Sequence, residues 1–276
     1  MLTLKELAVE VAFRAYNLTA RRLPRLIDLP SNPFAALNAY FDAAWVLTIP
    51  RNTARQDFMR RQLEGLKFEF FTGVDGSSLG GDPRADLPAA IARYGRPVRI
   101  NELACTMSHL VMFQAMLDRG LKRLLIFEDD AVFIRRNAAW VSYCLERLPE
   151  DWELIYLGYR DGELRGFQRE FQELMGRPRD PSEVVSRAVG RGIRTAAGHD
   201  YTHAYAVTAE GARKLLEGAY PVQYTADGWL ERKVTEGKIT AYISVPKLFA
   251  QQESLGSSIH TQTEATMRGY RRPGVR

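Results

Sequence analysis

The chain has 276 residues, 46% of them hydrophobic and 26% charged, ordinary globular usage that excludes disordered, collagen-like and coiled-coil architectures. Its 38 Lys and Arg against 33 Asp and Glu leave a net charge of +5, without a basic run or aromatic stripe dense enough for a nucleic-acid surface. The excess is mostly arginine, whose planar fork suits phosphate, so anionic ligands or lipids are the expected partners, although a coding bias toward arginine gives the same excess.

The longest mainly apolar run without Asp, Glu, Lys or Arg, Leu103 to Leu117, is shorter than the ~20 residues of a membrane-spanning helix. Met1 to Glu6 brings an early acid and no apolar core, so no secretory signal is expected. The expected location is cytoplasmic, with at most peripheral contact at the inner face of a membrane. Cys105 and Cys144 form no disulfide framework and show no metal-ligand spacing; they read as thiols in a reducing compartment.

In chain order, Leu4, Leu7, Ala8, Val11, Ala15 and Leu18 follow the spacing of an amphipathic helix over 4–23. With Arg14, Arg21, Arg22 and Arg25 at its far end, residues 4–25 either rest on an anionic membrane or pack on their own domain, an option that Glu6 and Glu10 favour. Residues 1–40 are read as this helix and a linker, 41–260 as the main domain and 261–276 as a polar tail.

Trp45 to Ile49 predicts a buried strand, followed by a helix from Thr53 to Leu66 and a second strand from Phe68 to Thr72, with turns at 73–76 and 80–83. Asn101 is the expected cap of a helix reaching Arg119. Leu124 to Phe127 is a wholly apolar strand ending in Glu128-Asp129-Asp130, and a helix over about 137–147 leads to a strand from Leu154 that Gly158 should stop. Segment 160–198 reads as an irregular insertion. A strand over His203–Val207, helices over Ala209–Glu217 and Gly228–Glu236, and a last strand over Ile239–Val245 follow. Strands alternating with helices indicate an α/β domain with a mainly parallel sheet.

The acidic trio is the sharpest chemical feature. Three carboxylates at the end of a buried strand repel one another and resist desolvation, and a cation relieves them. Alternation sets Glu128 and Asp130 on one side and Asp129 on the other. Ligands of such sheets bind beyond the carboxyl ends of the strands, and a hard divalent ion held there keeps positions open for phosphates. An acidic site for a nucleotide-diphosphate donor fits; an acidic loop capping the next helix is the simpler alternative.

Further stretches lie in order around this trio: Thr48 to Arg55, Phe71-Thr72-Gly73-Val74-Asp75-Gly76, Asn101-Glu102-Leu103-Ala104-Cys105-Thr106-Met107-Ser108-His109, Thr202-His203-Ala204-Tyr205, Gly211-Ala212, Ala226-Asp227, Gln251 and Ser257-Ser258-Ile259. Together they resemble glycosyltransferase family 25, the lipooligosaccharide and collagen galactosyltransferase group. Thr48, Pro50 and Ser258 depart from its pattern.

The resemblance implies a GT-A type Rossmann-like fold and an inverting, metal-dependent transfer of a hexose, galactose in the first instance. The donor would be a UDP-sugar, with Mn2+ or Mg2+, and the acceptor a glycan or lipid-linked oligosaccharide of the cell envelope. On this reading Asp130 is the first metal ligand, aided by Glu128 and by His260 from the tail. Glu128 and Asp129 also reach the donor. Arg51 and Arg55 hold diphosphate or uridine, or are solvated arginines on a helical turn. Asp75 accepts from uracil or ribose, or only forms a turn. Ser108 and His109 serve the donor site, or His109 bonds within the core. Asp227 is the general base, or a helix cap. The other class of function is a non-catalytic sugar- or nucleotide-binding protein with a degenerate site.

Overall fold

A computed structural model describes residues 31–160, 184 and 186–252. The helix expected over 4–23, residues 161–183 of the expected insertion and the tail with His260 lie outside the described residues. In chain order the elements are α1 (Ala35–Tyr40), β1 (Ala43–Thr48), α2 (Thr53–Gln62), β2 (Glu69–Thr72), a 3-10 turn (Gly76–Ser78), α3 (Leu87–Tyr94), α4 (Ile100–Asp118), β3 (Arg123–Glu128) and β4 (Ala131–Phe133). There follow a second 3-10 turn (Arg135–Asn137), α5 (Ala139–Leu145), β5 (Leu154–Arg160), β6 (Ala188–Gly190), β7 (Ile193–Thr195), β8 (Asp200–Thr208), α6 (Ala209–Leu216), α7 (Ala226–Thr235), β9 (Ala241–Ser244) and β10 (Phe249–Gln251).

Among the described residues, eight strands form one sheet in the order β2-β1-β3-β8-β5-β9-β7-β6, and β10 pairs with β4. β1, β2 and β3 are mutually parallel, as expected for strands joined by helical crossovers. β8 runs antiparallel between β3 and β5, so the sheet is mixed rather than parallel throughout. Helices cover both faces, which is why the central strands are continuously apolar rather than alternating. Trp45, Leu124, Ile126, Tyr156 and Tyr205 face one core with α4 and α6, while Val46, Leu125, Phe127, Ile155 and Ala204 face the other with α1 and α5. α1 begins ahead of the boundary expected at 41 and buries Phe34 and Leu37 in this second core.

Several local expectations need correction. α4 starts at Ile100 behind an extended Arg99, whose N–H donates to Glu102 Oε1 at 2.8 Å, so Asn101 lies inside the first turn and is not the cap. Gly158 does not stop β5, which bends through it with shifts of register. A glycine is needed there because a Cβ would overlap the ring of His203 on β8 and come within 3.0 Å of the Phe249 carbonyl. Segment 160–198 is not irregular throughout: β6 and β7 pair antiparallel and extend the sheet from β9.

Candidate active site

The register sets the site. Leu47 on β1 pairs with Glu128 on β3, and Thr48 pairs with Thr72 on β2, so three parallel strands end at one edge. β8, running the other way, starts at this edge and brings Thr202 beside Glu128. The turns after β1, β2 and β3, with the first half of α4, enclose a cleft. It is lined by Arg51, Asn52, Arg55, Asp75, Asn101, Cys105, Ser108, Gln251 and the acidic trio, among others. Small residues keep it open: a Cβ on Gly73 would lie 2.9 Å from Leu47 and 3.0 Å from Ser108 Oγ. Ser108 Oγ accepts from Val74 N–H at 2.8 Å and donates to the Ala104 carbonyl at 2.7 Å, which fixes the turn after β2.

Each member of the trio has a different setting. Glu128 accepts from the Thr202 hydroxyl, and its Oε1 lies 3.5 Å from His109 Nε2. Burial pushes its carboxyl up, but the nearby His109 ring and the Thr202 hydroxyl outweigh that and hold it below the usual range. Asp129 accepts from Thr48 Oγ1 at 2.6 Å, from Asn52 at 3.4 Å and from Arg55. Asp130 Oδ2 is 3.5 Å from Arg55 Nη2 and accepts from Gln251 at 3.3 Å, whereas its buried Oδ1 has no hydrogen-bond partner. Burial pushes Asp130 up to about 7, helped by the charges of Glu128 and Asp129 and opposed by Arg55 and Gln251. Because the chain turns after β3, Arg55 reaches both Asp129 and Asp130, so simple alternation does not describe Asp130.

The other expected site residues divide. Arg51 pairs with Asp75, and this guanidinium, followed by the Ser77 N–H, holds Asp75 well below the usual carboxylate range. Asp75 also caps the first 3-10 turn, so its turn-forming role is present. His109 is buried with its Nδ1 2.8 Å from the Tyr205 hydroxyl, behind the cleft wall rather than in it. Asp227 sits in the first turn of α7 and accepts from Gly228 N–H at 2.9 Å. The cap there is Thr225, not Asp227. Asp227 is not among the lining residues, although its charge reaches Cys105.

Reading the sequence missed Asn52, Thr202 and Gln251 as partners of the trio, though all lie in stretches singled out above. It also set Cys105 aside, yet Cys105, His109 and Glu128 bring one donor atom each to within 4.8 Å of one another, which is compatible with a metal ion. The signal was the four-residue spacing of Cys105 and His109, which puts both on one helix face.

Residues 41–230 match the sequence profile of glycosyltransferase family 25 (LPS biosynthesis protein). The chain belongs to this family. Among curated relatives, procollagen galactosyltransferase 2 of Mus musculus is 28% identical over 193 residues, covering 66% of this chain and 28% of the relative. A glycosyltransferase 25 family member of Aedes aegypti is 30% identical over 185 residues, 63% of this chain and 27% of the relative. Inactive glycosyltransferase 25 family member 3 of Mus musculus is 29% identical over 194 residues, 64% and 29%. The family 25 chain described here thus spans under a third of the length of these relatives. The matched region contains β1 to β3, the acidic trio and Asp227. None of the described helices is long and apolar enough to cross a membrane.

Proposed function

We propose that this family 25 chain transfers a hexose, galactose in the first instance, from a UDP-sugar to a hydroxyl of a glycan or lipid-linked oligosaccharide, with inversion at the anomeric carbon. The observation that carries the reading is Asp130: a buried carboxylate with one unpartnered oxygen, beside two more carboxylates, opening on a cleft at the carboxyl ends of parallel strands. That oxygen-rich set suits a hard divalent cation, so Asp130 with Glu128 would hold Mn2+ or Mg2+; His260 lies outside the described residues. When bound, the ion offsets negative charge growing on the diphosphate leaving group.

The chain's own groups supply the rest. Arg51, whose side chain is 63% exposed, and Arg55 donate to diphosphate oxygens. Asp75 and Ser108 shape the wall toward the nucleoside. In the transfer the acceptor oxygen bonds to the anomeric carbon from the face opposite the diphosphate, and the sugar–phosphate bond breaks through an oxocarbenium-like state. Asp227 takes the hydroxyl proton.

Thermal denaturation with UDP and Mn2+, singly and together, tests the donor site: each should raise the midpoint, and the pair more than their sum. Asp130→Asn should remove the Mn2+ effect and lower turnover by about 100-fold or more. Asp227→Asn should lower turnover while leaving the UDP-dependent shift in place, and equal losses in both would assign Asp227 to binding. A second reading, a degenerate binding protein, is favoured by Arg55 already pairing with Asp129 and Asp130 and by the relative named inactive. Donor hydrolysis without acceptor, present with Mn2+ and absent with chelator, supports the enzyme; no hydrolysis with or without metal supports the binding protein.

A further inference from the structure

A donor set of different chemistry shares Glu128 with the trio, leaving Asp130 to the oxygen-bound ion. Cys105 and His109 are one helical turn apart on α4 and project from one face, and β3 brings Glu128 to that face. Their donor atoms lie within 4.8 Å of one another. His109 is 1% exposed. Its Nδ1 is 2.8 Å from the Tyr205 hydroxyl, while its buried Nε2 has no hydrogen-bond partner and stands 3.5 Å from Glu128 Oε1.

With the ring hydrogen on Nδ1 and donated to Tyr205, Nε2 presents a lone pair to the gap between Cys105 and Glu128. An outer partner on the far nitrogen is how metal-ligating histidines are held in the right tautomer. The Thr202 hydroxyl orients Glu128 in the same way. A buried ring nitrogen without a partner is costly, and a cation in the gap relieves it.

We propose that Cys105 Sγ, His109 Nε2 and the Glu128 carboxylate form a site for a thiophilic divalent cation, zinc being the best fit, at the floor of the cleft. Sulfur, nitrogen and oxygen donors suit zinc, whereas manganese and magnesium favour oxygen alone. Three protein ligands leave a fourth tetrahedral position, as in zinc sites that take an exogenous ligand. Cys105 and Glu128 line the cleft, so that position faces it. The thiol proton is released to solvent as the metal–sulfur bond forms, and the donors close to roughly 3.5 Å apart.

The test uses the full chain freed of metal by chelation and titrated with Co2+ as an optical stand-in for zinc. One equivalent should give a thiolate-to-cobalt absorption band that zinc abolishes by displacement. Cys105→Ser should remove the band and weaken zinc binding at least ~10-fold, while Cys144→Ser and Asp130→Asn should retain it. No band in the unsubstituted chain, or one that survives Cys105→Ser, overturns the site. A second measurement needs no variant: equimolar zinc, but not magnesium, should slow alkylation of Cys105 by iodoacetamide at least tenfold. Equal labelling with and without zinc overturns the proposal. Neither readout involves a sugar donor, so the site stands or falls separately from the glycosyl-transfer reading.

Discussion

Arg51 and Asp75 tie the turn after β1 to the turn after β2 across the cleft mouth. Asp75 is held low first by Arg51 and then by the Ser77 N–H, so the folded state binds its proton more weakly than the unfolded chain. The resulting stabilisation is fully present above the unfolded value of about 4 and is lost as pH falls through the lower folded value. Asp75→Asn should therefore be less stable than the unsubstituted chain at pH 7, by a small amount because Arg51 is largely exposed. The gap should shrink at pH 3. Urea denaturation at both pH values measures it, and a gap that widens in acid contradicts the pairing. At this scale the sequence singled out the acidic trio and Asp75 but not their partners. Asp129 and Arg55 are 74 positions apart, and Glu128 and Thr202 likewise, so only the register of β1, β3 and β8 brings them together.

Among elements, legibility followed the strength of the local signal. β1, β3 and β8 stood out because strands buried on both faces are unbroken apolar runs, and α6 followed Thr208, whose hydroxyl accepts from Gly211 N–H at 3.1 Å. α3 was passed over, although its signals are present: Asp86 accepts from Ala89 N–H at 3.0 Å, Pro88 sits in the first turn, and Gly95 closes the helix at φ 60°. Asp86→Ala should lower stability by about 1 kcal/mol, the usual worth of such a cap, with the denaturation slope unchanged. No change in midpoint would mean that the helix is held by packing alone. β4, β6, β7 and β10 have three residues each, too few to show a period. Their pairing depends on distant partners, Phe249 with Phe133 and Ile193 with Ser244.

Across the whole molecule, two apolar cores sandwich the sheet, and the cleft occupies the edge where three strands stop. Cys144 reports on the second core: it is 1% exposed, donates to the Gly192 carbonyl at 3.3 Å, and burial pushes its thiol up to about 12. In a Cys105→Ser background, its modification by a disulfide reagent at pH 8 should be slow and should rise with urea in step with global unfolding. Rapid labelling without urea would mean that the β6–β7 hairpin opens locally. The reversed strand β8 also carries a consequence for biosynthesis. A nascent polypeptide emerging only as far as residue 160 already holds β3 and β5 but lacks the strand that joins them, leaving apolar margins bare on one edge of β3 and on both edges of β5. The setting of Glu128 and the centre of the sheet thus depend on the same late event, the arrival of β8 with Thr202, and a translation product halted before that point would be prone to clump.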